Sequence, residues 1–327
     1  MWYKEVMESI RRFLRKVNLR PLGSLCMSGL RLWARITRRI PSGRARLLVA
    51  NLQPLNPLGS GTEIPAIEIV VPFVEKDQRL VQTVVLAAVK HSLNRIVLVR
   101  LITPDPTSKA VMNLVESLKK EIKTRGLMDT RVRAESDESV LGPELFEELR
   151  NEAGWNKQQL IKFAAVLKSS EVGSLVVDAD TVLLRDKSFL GNNGEQLLQV
   201  GEVYRNFYEG QFSQFFSLTK RTPVMFITHH QLMQKFVVQR MFPGGAGDLA
   251  MWLKLSLQSP HRRLTEYDSY GSFLELKFNR RVRYGSWGNT KGFDLGSKIE
   301  SGGLPGYLKN LSDHYCSVSF HAYDQNS

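Results

Sequence analysis

The chain is short of cysteine, with two (Cys26 and Cys316) among 327 residues. Two thiols cannot build a disulfide framework, so a reducing, cytoplasmic setting is expected. No stretch of 18 or more apolar residues exists, so no membrane-spanning helix is expected. The continuous apolar core and small-residue cleavage site of a secretory leader are also missing. There is no internal repeat. Acid is scarce relative to base: 45 Lys and Arg stand against 32 Asp and Glu, a net charge of +13. What is present is otherwise ordinary. At 43% hydrophobic and 24% charged residues, the chain can bury a large core as one big domain or two small ones.

The surplus charge is concentrated at one end. Residues 1–46 hold 12 Lys or Arg and two acids (Glu5 and Glu8), a net +10, while the other 281 residues carry only +3. Apolar residues recur among the arginines at helical spacing: Trp2, Val6, Ile10, Phe13, Leu14 and Val17, then Leu30, Trp33 and Ile36. Residues 1–50 therefore read as a basic amphipathic helical arm. Such an arm suits an anionic membrane surface, which would make the protein peripheral on the inner membrane face. The plainer reading is an extension packed on the body with its arginines in solvent. No nucleic-acid-binding motif accompanies the charge, so nucleic acid is not an expected partner. Residues 51–66, with Pro54, Pro57, Gly59, Gly61 and Pro65, read as a linker, and 67–327 as the folded body.

The body opens with alternating strands and helices. Ile67 to Phe73, Arg95 to Ile102, Thr130 to Ala134 and Leu175 to Val177 read as strands. Arg79 to Ser92, Ser108 to Arg125, Pro143 to Arg150 and Asn156 to Ser169 read as helices between them. This order predicts parallel βαβ units in a layered α/β fold, with ligands beyond the carboxyl ends of the strands. The second half is less regular. Gln196 to Val203 and Val224 to Thr228 read as strands. His230 to Met241, Asp248 to Gln258 and Tyr267 to Leu276 read as helices. Gly285 to Gly306 reads as irregular, ahead of a last strand near Val318.

The fourth strand delivers two acids, in Ser174-Leu-Val-Val-Asp-Ala-Asp-Thr-Val-Leu-Leu-Arg-Asp186. Asp178 and Asp180 are two apart, so on an extended chain they face the same way. Carboxylates that converge at a buried strand end repel unless a cation lies between them, and carboxylate oxygens suit a hard divalent cation. A solvated acidic turn is the plainer alternative.

With its context, this triplet resembles the metal-binding D-x-D of GT-A glycosyltransferases. Several stretches resemble, more narrowly, an uncharacterised bacterial GT-A-like family: Gly154 to Lys162, Val177 to Leu184, Phe226 to His230, Thr265 to Gly271, and Phe320 to Tyr323. The likeness spans about residues 65–323 and leaves out the arm. It implies a GT-A-like fold with a mostly parallel central sheet. It also implies transfer of a sugar from a nucleotide-sugar donor to a glycan or glycolipid acceptor with Mn2+ or Mg2+. The resemblance places Asp178, Asp180 and His321 at the metal. Pro72, Asp77, Lys162, Asp178 and His229 would surround the donor. Glu266 is the candidate base of an inverting reaction, followed by Asp268, Asp248 and His229. Trp155, Trp287 and Tyr270 are candidates to stack on sugar rings. Two alternatives remain. A nucleotidyltransferase would need a glycine-rich basic loop after the first strand, where this chain has Phe73-Val-Glu-Lys-Asp77. The other is a non-catalytic protein that binds glycans or membrane surfaces.

Overall fold

The β-branched run Ile67–Pro72 forms β1, and all six of its residues are buried. A strand covered on both faces is what a continuous apolar run produces in an α/β sheet. The computed structural model describes residues 64–152, 154–201, 212–220, 225–258, 264–293, 298 and 301–321. The basic arm, most of the linker, and Ala322 and Tyr323 lie outside these residues. Among them, no helix is long and apolar enough to cross a membrane.

After β1 come α1 (Gln78–His91), β2 (Ile96–Thr103), α2 (Lys109–Thr124) and β3 (Arg131–Ser136). Two short helices, α3 (Asp137–Leu141) and α4 (Pro143–Glu148), lead to α5 (Gly154–Leu167) and β4 (Gly173–Val177). The second half contains β5 (Thr181–Leu183), β6 (Gln196–Val200), β7 (His230–Gln234), α6 (Lys235–Met241), α7 (Ala246–Gln258) and α8 (Glu266–Lys277). It closes with β8 (Val282–Ser286), β9 (Asn289–Lys291), α9 (Leu304–Ser312) and β10 (Ser317–Ser319).

The main sheet has the order β3-β2-β1-β4-β7. The first four strands are parallel and β7 runs antiparallel to β4. The α/β class and the mostly parallel sheet expected from the alternation are therefore present. Two smaller sheets, β5-β10-β9 and β6-β8, flank it. One core layer packs α1 and α2 on one face through Leu80, Val84, Val115 and Leu118. The other packs α5, α7 and α8 through Phe163, Trp252 and Tyr270.

Within that second layer the sheet is tied to α5 by buried charge. Arg100 on β2 donates from Nη1 to the Ala165 carbonyl at 2.7 Å and to Glu68 Oε1 at 3.2 Å, and from Nε to Glu135 Oε1 at 2.6 Å. Ser174 on β4 donates to the same Glu68 oxygen at 2.7 Å. One guanidinium on β2 thus links β1, β3 and α5, and Glu68 extends the link to β4, the geometry for which a planar fork of donors is suited.

The segment after residue 224 departs from expectation. Residues 225–228 form no strand. His230–Gln234, expected to be helical, is instead the edge strand β7, and the helix starts at Lys235. Its sequence, His-Gln-Leu-Met-Gln, is buried at every position. With polar residues on both covered faces, no clean alternation is visible. The stretch Gly285 to Gly306 also carries the end of β8, all of β9 and the first turn of α9.

Candidate active site at the carboxyl edge of the sheet

β4 ends at Val177, and Asp178 and Asp180 follow at the edge where parallel sheets take ligands. The Asp178 carboxylate is surrounded by donors. Its Oδ1 accepts from Lys162 Nζ at 2.5 Å and from the Tyr267 hydroxyl at 2.8 Å, and its Oδ2 lies 3.0 Å from His229 Nδ1. Each donor comes from a different element: α5, α8 and the residue ahead of β7. His229 reaches the carboxylate from a left-handed backbone conformation, φ 57°, which costs strain in a non-glycine residue. Its carbonyl also accepts the Asp178 N–H at 2.8 Å, so the two residues are joined by backbone and side chain.

Lys162 is 2% exposed and serves two acids. Its ammonium is also 2.5 Å from Glu266 Oε1, on a side chain 4% exposed, and lies over the Tyr267 ring. Burial works against the Lys162 charge, but Asp178 and Glu266 together raise its proton affinity above the ordinary lysine value. Burial would also raise the Asp178 carboxyl. Lys162 and His229 overrule it and hold Asp178 well below the usual carboxylate range. For Glu266 burial wins, and its carboxyl is pushed up despite Lys162. One ammonium thus separates two neighbouring acids, one firmly ionised and one with raised proton affinity. Burial, with Asp178 and Glu266 nearby, pushes the Tyr267 phenol well above its usual value.

Asp180 is the more open acid. Its side chain is 29% exposed, and its Oδ2 lies 3.0 Å from Nδ1 of His321. His321 arrives just after β10, whose antiparallel pairing with β5 returns the chain to the acidic turn. The Asp180 carbonyl accepts the Phe320 N–H at 2.9 Å and fixes that return. The His229 and His321 rings stand side by side, with centroids 4.6 Å apart, and Trp287 lies 5.3 Å from His229.

The structure therefore brings Asp178, Asp180, His229, His321, Lys162 and Glu266 to one place. Pro72 and Asp77 lie on the same edge. Val70 pairs with Val176, so Pro72 and Asp178 each stand two residues beyond a matched pair. Asp77 sits in the turn between β1 and α1. Two expected acids are held elsewhere. Asp268, 1% exposed, ion-pairs with Lys220 at 2.7 Å and accepts the Phe226 N–H. Its position two residues after Glu266 in a helix turns it to another face. Asp248 accepts the Gly244 N–H at 2.7 Å in the glycine turn that opens α7. Tyr267 was not among the expected site residues. Its phenol reaches Asp178, and an aromatic beside an acid in a helix gives no sequence signal of that contact.

Among the described residues, no three His, Cys, Asp or Glu side chains are gathered closely enough to hold a metal as they stand. The donor chemistry nevertheless fits a divalent cation. Asp178 and Glu266 share the Lys162 ammonium, and the imidazoles of His229 and His321 reach Asp178 and Asp180. Carboxylate oxygens with imidazole suit manganese, and oxygens alone suit magnesium. Asp178 is already occupied by three donors, which leaves Asp180 and His321 as the pair best placed to take such an ion.

Fold and site together define a layered α/β protein with an acid–imidazole cluster at the carboxyl edge of its sheet. Neither protein-family models nor curated proteins match the chain. Solved structures similar to it include mouse xyloside xylosyltransferase 1 in its apo form, at 12% identity and a TM-score of 0.44, covering 79% of this chain and 98% of that one. Another is the galactosyltransferase LgtC in complex with donor and acceptor sugar analogs, at 11% identity and a TM-score of 0.43, covering 78% of this chain and 87% of that one. At that distance the likeness carries no argument, and the functional reading rests on this chain's own residues.

Proposed function

We infer that the protein is a GT-A-like glycosyltransferase that moves a sugar from a nucleotide-sugar donor to a glycan or glycolipid acceptor with the help of a divalent cation. The observation that carries this reading is the meeting of Asp178, Asp180, His229 and His321 at the end of β4. In this reading Asp180 and His321 would hold the ion, whose chemistry there would be Lewis-acid stabilisation of the departing nucleoside diphosphate. Pro72 and Asp77 border the donor's base along the same edge.

The remaining residues orient and neutralise. Asp178 holds Nδ1 of His229 and so fixes the ring that faces His321. Lys162 keeps Asp178 ionised in a buried setting, and the reading gives Glu266 the part of holding Lys162 in place. The arm at residues 1–46, with its net +10, suits an acceptor carried on an anionic membrane.

Calorimetric titration of manganese with a panel of nucleoside diphosphates, into wild type and Asp180→Ala, tests the reading. The expected result is nucleotide binding that requires manganese and is lost in the variant. Nucleotide binding that ignores both the metal and Asp180, or none at all, would sink it.

A further inference from the structure

Three aromatic side chains were candidates to stack on sugar, and the structure sorts them. Tyr270 is 0% exposed, and its hydroxyl donates to Gln196 Oε1 at 2.7 Å while accepting the Gln234 N–H at 2.8 Å. It is a core residue tying α8 to β6 and β7. Trp287 is 9% exposed and packed against His229. Trp155 is different: it is 46% exposed, and it belongs to the helix that supplies Lys162.

Trp155, Gln159 and Lys162 fall at i, i+4 and i+7, one stripe of α5. Hydrogen bonds run along it. Gln159 Nε2 donates to the Trp155 carbonyl at 3.1 Å, and Lys162 Nζ lies 3.5 Å from Gln159 Oε1. The direction of the stripe follows from its lower end. Ala165 meets Arg100, which stands level with Val70 and Val176 inside the sheet. Lys162 meets Asp178 at the carboxyl edge. Moving towards the helix N-terminus therefore leads out of the sheet. At 1.5 Å per residue, the seven residues from Lys162 to Trp155 carry the helix backbone about 10 Å further in that direction.

The indole is fixed there. Its Nε1–H donates to the Leu264 carbonyl at 2.8 Å, and the neighbouring Asn156 Oδ1 accepts the Leu264 N–H at 3.1 Å. Leu264 stands two residues before Glu266, so the same clamp joins the rim to the start of α8. A large, rigid, half-exposed ring is an anchor of the kind that binding sites use, because little side-chain entropy is lost when a ligand covers it.

We propose that Trp155 is the acceptor platform of this site, stacking on the C–H face of a pyranoside held above the Asp178–Asp180 floor. The proposal rests on the glycosyltransferase reading and adds the acceptor's subsite and chemical class. An indole meets a sugar through its ring face.

Saturation-transfer NMR on the full chain with manganese and a nucleoside diphosphate tests it. The probes are methyl glycosides of the common hexoses and N-acetylhexosamines, with soluble disaccharides of the same sugars. Wild type, Trp155→Phe and Trp155→Ala are compared, with thermal melting to confirm folding. The expected result is at least one pyranoside that binds wild type, binds Trp155→Phe within about threefold, and binds Trp155→Ala at least tenfold more weakly, with nucleotide affinity unchanged. Equal pyranoside binding in wild type and Trp155→Ala overturns the platform and leaves the transferase reading standing. So does nucleotide binding by wild type with no pyranoside bound. Failure of the nucleotide itself to bind removes both.

Discussion

Lys162 holds its ammonium 2.5 Å from Asp178 Oδ1, on a side chain that is 2% exposed. A buried ion pair of this kind is weak evidence of net stability, but removing one partner leaves an uncompensated charge, at a cost of about 3–5 kcal/mol. Lys162→Met should cost about that much near neutral pH. The pH dependence has a definite sign. In wild type the folded Asp178 carboxyl is depressed, so its stabilisation is present above the ordinary carboxylate range and is lost as pH falls towards the folded value. In the variant Asp178 and Glu266 must be buried without their ammonium. Its deficit should therefore shrink as pH falls through the carboxylate range. Urea unfolding of both proteins from pH 4 to 8 measures this, and a deficit that grows on acidification would contradict the assigned pairing.

Asp180 should behave in the opposite way. Its side chain is 29% exposed and its partner is a histidine, not an ammonium. Asp180→Asn should unfold within about 1 kcal/mol of wild type, the scale of one net hydrogen bond. It should nonetheless lose manganese-dependent nucleotide binding at least tenfold. Paired melting curves and titrations separate the two effects.

Two acids of one helix should give different phenotypes. Asp268→Asn strands the Lys220 ammonium in the core and weakens the acceptor for the Phe226 N–H. A loss of about 3–5 kcal/mol in unfolding free energy is expected, with nucleotide affinity per folded molecule unchanged. Glu266→Gln keeps a group able to accept from Lys162 and should be the milder change in stability. Its effect should appear in nucleotide binding, because it acts through Lys162 on Asp178. Denaturation and titration of the two variants side by side make the comparison.

Gly271 offers a packing test. In a helix interior Ala is normally preferred to Gly by about 0.5–1 kcal/mol. A Cβ at Gly271 would, however, lie 2.5 Å from Phe226 Cγ and 2.6 Å from its Cβ and Cδ2. These atoms are near the root of a fully buried ring and cannot swing away. Overpacking of this kind typically costs about 1–3 kcal/mol, so Gly271→Ala should be destabilising in spite of helix propensity. A higher melting temperature for the variant would show that the ring has room to move.

Much of the fold was legible in the first half of the chain. Ile67–Pro72 and Ile96–Thr103 are nearly continuous apolar strands, and Lys109–Thr124 keeps its buried residues at helical spacing. Such runs and periods reflect local burial, which a single sequence displays. The strand His230–Gln234 was not legible. It lies at the sheet edge with helices on one face and the β6–β8 ribbon nearby, so glutamines and a histidine are buried on both sides. Their partners, Gln199 for His230 and Gln196 for Gln234, are more than 30 residues away.

The site divides along the same line. The sequence by itself set the α/β alternation and placed Asp178 and Asp180 at the end of a buried strand, because strand period and apolar runs are local properties. Tertiary structure decided which groups those acids meet. His321 reaches Asp180 across 141 residues, Lys162 and Glu266 close on one another across 104, and Tyr267 reaches Asp178 across 89. It also separated Glu266 from Asp268, which look equivalent as acids two apart but point to different faces of one helix. A chain of residues carries period and polarity along its length. The convergence of charges depends on how the sheet stacks, and only the folded molecule supplies that.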